Sequence, residues 1–330
     1  MGLHLSEYIV RSILAVLVNF LILAGNAIVV LAFYRYKHLR SISHLFILNL
    51  ALADILLGLL VAPFITAAVI TRGWKFGQLA CDFQGAMTAT VSVASVLTLT
   101  FMSLEKKLAI CNPWYHYVHF NSKKVAYLFV AIWIICSLLA VTGFLSSKYV
   151  FTHQFMICMI DWNETLWVTI YAVSIHFFLP FLLLVYSNIS IIKVLRRRRR
   201  VISTSFQHNL QAANALKCRG HRERKAWRLL STVVLAFVLC WAPYYISVVC
   251  WTLSGDACPI PERICFYFVL FSGVNSCINP LIYAVMNNSF RQAFFKLLHI
   301  EVNSSRKCNE LKSEAVIGSD KKKPSSNTST

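Results

Sequence analysis

Residues 44–70 read HLFILNLALADILLGLLVAPFITAAVI, and the single acidic side chain in that run is Asp54. An α-helix rises about 1.5 Å per residue, so the run reaches about 40 Å, more than the hydrocarbon core of a bilayer at about 30 Å. Apolar stretches long enough to cross recur at residues 12–34, 81–104, 125–145, 166–194, 227–252 and 264–286. The pattern predicts an all-α membrane protein, a seven-transmembrane helix bundle. Composition agrees. The chain is 58% hydrophobic and 14% charged, against roughly 45–50% and about 25% in soluble domains, which argues against a soluble enzyme and against general disorder.

The third stretch is the most polar, with Thr88, Thr90, Ser92, Ser95, Thr98 and Thr100. It belongs inside the bundle rather than against lipid. After the seventh stretch, residues 287–300 carry apolar side chains at helical spacing between Arg291 and Lys296, the pattern of a short amphipathic helix on the membrane surface. The expected organisation is a short extracellular N-terminus (1–11), the seven-span domain (12–286), the surface helix (287–300) and a polar, disordered cytoplasmic tail (301–330).

The net charge is +19, but its placement matters more than its sum. The loops after the first, third and fifth spans, together with the tail, hold 27 of the 32 Lys and Arg residues; the other side holds Arg11, Arg72, Lys75, Lys148 and Arg263. The positive-inside rule then puts the N-terminus outside and the C-terminus in the cytosol. The run Arg196 to Arg200 reads as a topology and anionic-lipid signal, not a nucleic-acid patch. The eleven cysteines form no CxxC units and do not alternate with His, so a zinc site is not expected. No nucleophile–base pairing or phosphate loop argues for an enzyme.

Landmarks fall one per span: Gly25-Asn26, then Asn49-Leu50-Ala51-Leu52-Ala53-Asp54, Cys81 at the outer end of the third, Trp133 in the fourth, Pro180 in the fifth. The sixth reads Phe237-Val238-Leu239-Cys240-Trp241-Ala242-Pro243-Tyr244, and the seventh Asn275-Ser276-Cys277-Ile278-Asn279-Pro280-Leu281-Ile282-Tyr283. Any one motif is weak, but the ordered set is specific. Over residues 10–300 the chain resembles the rhodopsin family (class A) of G-protein-coupled receptors, nearest its biogenic-amine and trace-amine branch.

A charge in mid-membrane is costly and marks function by default. The resemblance implies that Asp54 holds a sodium ion with Ser95, Asn275 and Ser276, all oxygen-bearing as a hard cation requires; the alternative is a protonated, hydrogen-bonded carboxyl. It implies a ligand pocket at Thr88, Ser92, His176, Trp241, Tyr244, Tyr245 and Ser272, positions that equally suit packing. It implies a disulfide between Cys81 and Cys158. Cys258 and Cys265, both outside, suggest a second bridge. Asn163-Glu164-Thr165 is a glycosylation sequon, and Cys308 stands beyond the surface helix, where the family is often palmitoylated. Pro63, Pro180, Pro243 and Pro280 each remove a helical hydrogen bond, giving hinges or a static shape.

The family's activation switch maps onto Glu105, Lys106, Glu223, Asn279, Pro280 and Tyr283. A Lys106–Glu223 contact would close the inactive state; the alternative is two solvated charges. Departures stand out at four positions. Thr88 occupies the position of the amine receptors' aspartate, and an uncharged hydroxyl cannot pair with an ammonium. Lys106 lacks the planar fork of the family's arginine, and Asn188 replaces its inner tyrosine. Gly273 stands where an opsin needs lysine. The implied partners are a small extracellular ligand, a heterotrimeric G protein, arrestin, a receptor kinase and the lipid bilayer. The alternative function is an atypical seven-span receptor with weak or no G-protein activation, acting as a scavenger, dimer partner or arrestin-only receptor.

Overall fold

The computed structural model of the chain describes residues 5–146, 149–160, 169–170, 173–204 and 210–298. Among these residues seven helices are long and apolar enough to cross a membrane: Leu5–Arg35, Ile42–Ile70, Gly77–Cys111, Ser122–Val141, Ser174–Arg200, Glu223–Ser254 and Glu262–Met286. The first, fourth and fifth turn large apolar side chains outward, including Ile13, Phe20, Val130, Ile134, Leu138 and Leu182. In water such faces would aggregate; against acyl chains they cost nothing.

The third helix is the most buried of the seven. It packs against the second, fourth, fifth and sixth spans. Its hydroxyls explain how a polar helix survives there: Thr98 and Thr100 donate back to the Ala94 and Val96 carbonyls at 2.6 and 2.8 Å. Thr98 also accepts from Asn49 Nδ2 at 2.8 Å, and Trp133 Nε1 donates to Asn49 Oδ1 at 3.1 Å, tying spans two, three and four.

The prolines act locally. The second span is two helices, Ile42–Leu60 and Ala62–Ile70, parted at Val61 with Pro63 in the first turn of the second piece. The fifth widens into a π-helical turn over Ser174–Phe178 just before Pro180. Pro243 and Pro280 lie within continuous helices. The surface helix runs Asn288–Leu297; Asn287 caps it by accepting from Ser289 N, and Phe290, Ala293 and Phe294 are buried.

One element was not expected of an all-α chain. Strands β1 (Tyr149–Thr152) and β2 (Ile157–Ile160) pair antiparallel, with Tyr149 opposite Ile160 and Thr152 opposite Ile157. The hairpin lies at one end of the bundle, against the third span and the second piece of the second. Its turn closes through Thr152 O, which accepts from Phe155 N and Met156 N at 3.2 and 2.8 Å. Phe155, Ile157 and Met159 bury against Val248, Cys265 and Val269 of spans six and seven.

Candidate functional site

The hairpin is fixed to the third span at several points. Cys81 is bridged to Cys158, with Cα atoms 5.4 Å apart. Gln84 Oε1 accepts from Cys158 N at 2.8 Å, and Gln78 Nε2 donates to Tyr149 O at 2.7 Å. The Tyr149 ring fills a notch over Gly85, where an added Cβ would stand 2.7 Å from Tyr149 Cγ and closer still to Cδ1. The Tyr149 hydroxyl donates to Ala140 O at 3.3 Å. Burial, with Asp82 nearby, pushes this phenol up to about 12.

Under this roof lies a cavity of about 90 Å³ whose walls include Ile22, Leu57, Val61, Ile157, Val269 and Leu270. Of the sequence-predicted pocket residues, Thr88, Ser92, Trp241, Tyr244 and Ser272 line it. His176 and Tyr245 do not. Tyr245 is drawn into an aromatic stack, 5.8 Å from Trp241 and 5.1 Å from Phe177, and the π turn carries His176 on the side of the fifth span. The cavity therefore faces spans one, two and seven. Thr88 is already engaged: it donates to Gln84 O at 2.7 Å and accepts from Gln84 Nε2 at 3.1 Å. Gln84, Gly85, Tyr149 and Ile157 were missed from sequence, since nothing marks such residues before the loop's path is known.

Deeper, Asp54 is fully buried. Ser276 Oγ donates to its Oδ1 at 2.7 Å and Asn279 Nδ2 to its Oδ2 at 3.3 Å. Asn26 Nδ2 donates to Ser276 O at 3.1 Å, joining the first span. Of the residues expected around Asp54, only Ser276 bonds to it directly; Ser95 and Asn275 are buried without such a bond, and Asn279, assigned to the switch, takes a place instead. The Asn275 and Asn279 Oδ1 atoms are buried with no hydrogen-bond partner among the described residues.

At the end of the bundle away from the hairpin, Ser43 Oγ lies 3.2 and 3.1 Å from the two Glu105 oxygens, and His116 Nε2 lies 2.9 Å from Oε1. Lys106 Nζ donates to Ser43 Oγ and stands 3.8 Å from Glu105. The expected Lys106–Glu223 contact is absent among the described residues. The fifth helix continues through the arginine run and delivers Arg198 to Glu223, Nη1 donating at 2.6 and 2.7 Å, while Nη2 donates to Ile110 O at 2.7 Å. Asn188 Oδ1 accepts from Ser231 Oγ at 2.8 Å, a second tie between spans five and six. Tyr283 is buried, its ring 5.9 Å from Phe290.

The second outer bridge also differs from expectation. Cys258 joins Cys250, not Cys265, because the sixth helix runs on to Ser254 and presents Cys250 at its end, with Cα atoms 5.6 Å apart. Cys265 turns inward on the first turns of the seventh span and is a free, buried thiol. Asn163 and Cys308 lie outside the described residues.

The sequence profile described as the 7 transmembrane receptor (rhodopsin family) matches residues 25–283. The chain belongs to that family. It is a cell-surface G-protein-coupled receptor and not an enzyme. It is 31% identical to the histamine H2 receptor of Rattus norvegicus over 290 residues, 86% of this chain and 77% of that one. It is 27% identical to the 5-hydroxytryptamine receptor 1B of Equus caballus over 343 residues, 89% and 88% of the two chains. It is 27% identical to the octopamine receptor beta-1R of Drosophila melanogaster over 310 residues, 86% and 60%. This receptor thus lies in the biogenic-amine branch.

Proposed function

We propose that the receptor binds a small extracellular ligand in the cavity over Trp241 and answers by opening its inner ends to a heterotrimeric G protein. The observation that carries this reading is the vertical arrangement along one bundle axis. The roofed cavity rests on Trp241, and a buried polar core at Asp54 joins spans one, two and seven. A ligand shifts the population only by its differential affinity for the two states. Arg198–Glu223 and Asn188–Ser231 hold spans three, five and six together in the closed form, and opening breaks them. Arrestin and a receptor kinase are the further expected partners, acting on the cytoplasmic side.

The donors at Asp54 suit a sodium ion. Hard cations take oxygen ligands, and Asp54, Ser95, Asn275 and Ser276 offer a carboxylate, two hydroxyls and a buried amide oxygen without a partner among the described residues. When bound, the ion supplies the positive charge that a buried carboxylate otherwise lacks. These residues orient it and exclude lipid.

Orientation follows the charge: amino end outside, carboxyl end in the cytosol. Tags at the two ends check it, the amino tag binding antibody on intact cells and the carboxyl tag only after permeabilisation. The functional test is second-messenger output in cells expressing the chain, beside Lys106→Arg. Ligand-driven or basal output from the natural lysine form is expected. Silence from it, with output restored by arginine, sinks the reading and favours a receptor that does not activate G protein.

A further inference from the structure

We infer that Lys225, Arg228 and Arg291 form a site for phosphomonoester groups between span six and the surface helix, of the kind carried by a phosphorylated inositol headgroup. The site is separate from the ligand cavity and from Asp54, and it goes beyond the reading above. Two helix faces meet there. Lys225 and Arg228 stand three apart on the sixth span, and Asn288 and Arg291 three apart on the surface helix. Residues at that spacing are neighbours on one helix face. Lys225 Nζ donates to Asn288 Oδ1, and this bond brings the two faces together. Arg291 and Arg228 are both close enough for their charges to act on Lys225.

Three cations are thus gathered, and among the described residues none of them takes part in an ion pair. Glu223, two positions before Lys225, accepts from Arg198; residues two apart on a helix do not face each other. Lys225 and Arg291 are half-buried and Arg228 is exposed. Water screens such crowding only in part, and a doubly charged phosphate reverses it. Arginine meets phosphate oxygens with paired N–H donors, and lysine meets them as a point charge. Depth points to the headgroup. Span six turns Leu235, Leu239, Ile246 and Leu253 outward, about 27 Å of helix, close to the thickness of the hydrocarbon core. Arg228 and Lys225 come about 10 and 15 Å beyond Leu235. That is past the hydrocarbon, where the phosphates on an inositol ring project further than the phosphodiester that every phospholipid carries. Basic clusters beside a span or on a surface helix suit such headgroups.

The test uses the full-length receptor in lipid nanodiscs and reads the thermal unfolding midpoint. Phosphatidylcholine discs containing phosphatidylinositol bisphosphate are set beside discs containing phosphatidylserine at the same total negative charge. The bisphosphate should raise the midpoint by about 2 °C over phosphatidylserine. Arg228→Gln/Arg291→Gln should lose that difference. Arg199→Gln, which removes an exposed charge from the run on span five, should keep it. A second arm adds inositol trisphosphate to the receptor in phosphatidylcholine discs. A rise with both probes assigns the site to the phosphate groups in either form; a rise with the lipid alone assigns it to a headgroup presented by the bilayer, and a rise with the soluble probe alone to a free phosphate. Should the double variant show no folding transition, Arg228→Gln, at an exposed position, carries the test and should lose part of the shift. The inference falls if neither probe moves the midpoint beyond phosphatidylserine, if the folded variants keep the whole shift, or if Arg199→Gln loses as much as they do.

Discussion

At the scale of single residues, the roof depends on the absence of one methyl group. Gly85 leaves the notch that the Tyr149 ring fills. Gly85→Ala forces the ring and its hairpin to shift, and overpacking of this kind costs about 1–3 kcal/mol. The expected result is a lower unfolding midpoint, with Gly85→Ala/Tyr149→Ala recovering part of the glycine variant's loss. Tyr149 also gives a pH signature. Its phenol is raised from 10.0 to about 12 by burial, so the folded state favours the neutral form. That contribution is fully present below pH 10 and is lost as pH rises through about 12. The difference in midpoint between the natural chain and Tyr149→Phe should therefore narrow over that window; a difference that stays flat refutes the assignment. Residues of this kind were not legible in the sequence. Asp54 was, because a lone acid in a 27-residue apolar run (44–70) has no bland explanation. Its neighbours were only half legible: which asparagine turns to it depends on how the helix winds past Pro280, and Asn279 rather than Asn275 does.

At the scale of elements, the spans were readable because lipid imposes length and apolarity at once. Their ends were not, since a helix continues past the apolar stretch wherever capping or pairing supports it. The sixth span runs to Ser254 rather than stopping at 252, and the turn Gly255–Ala257 that follows returns Cys258 to Cys250. Cys250→Ser should free the Cys258 thiol to alkylation and cost roughly 2–3 kcal/mol for so short a loop, whereas Cys265→Ser should leave the count of bridged cysteines unchanged on mass analysis. The fifth span likewise continues through the arginine run, and it is Arg198 that takes the acid read as the partner of Lys106. The pair is partly exposed, so its release is worth up to about 1 kcal/mol. Glu223→Gln should raise basal second-messenger output by up to roughly fivefold by population shift. Lys106→Gln should not reproduce that rise through Glu223, because Lys106 points to Ser43 and Glu105. The hairpin was invisible beforehand: two strands of four residues in a loop carry too little periodicity to register.

At the scale of the whole molecule, the question is how a small event under the roof reaches a face one membrane thickness away. The third span offers a rigid strut, touching the hairpin and four other spans and carrying Glu105 and its partners towards its other end. Span seven supplies the movable partner. It lines the cavity through Ser272, holds Asp54 through Ser276 and Asn279, and meets the surface helix where Tyr283 lies beside Phe290. A cation held at Asp54, as proposed above, would bind the arrangement in which those oxygens converge, and so would stabilise it by mass action and oppose whatever arrangement the ligand favours. The purified receptor should therefore unfold at a higher temperature in sodium chloride than in choline chloride of equal ionic strength. The same sodium should weaken the ligand-driven response. Asp54→Asn removes the charge while keeping the volume and one amide oxygen, and should abolish both effects together, because reciprocity ties them to one site. If the variant loses the thermal effect but keeps the effect on the response, the two belong to different places in the bundle, and Asp54 is a structural carboxyl that bonds Ser276 and Asn279 and nothing more.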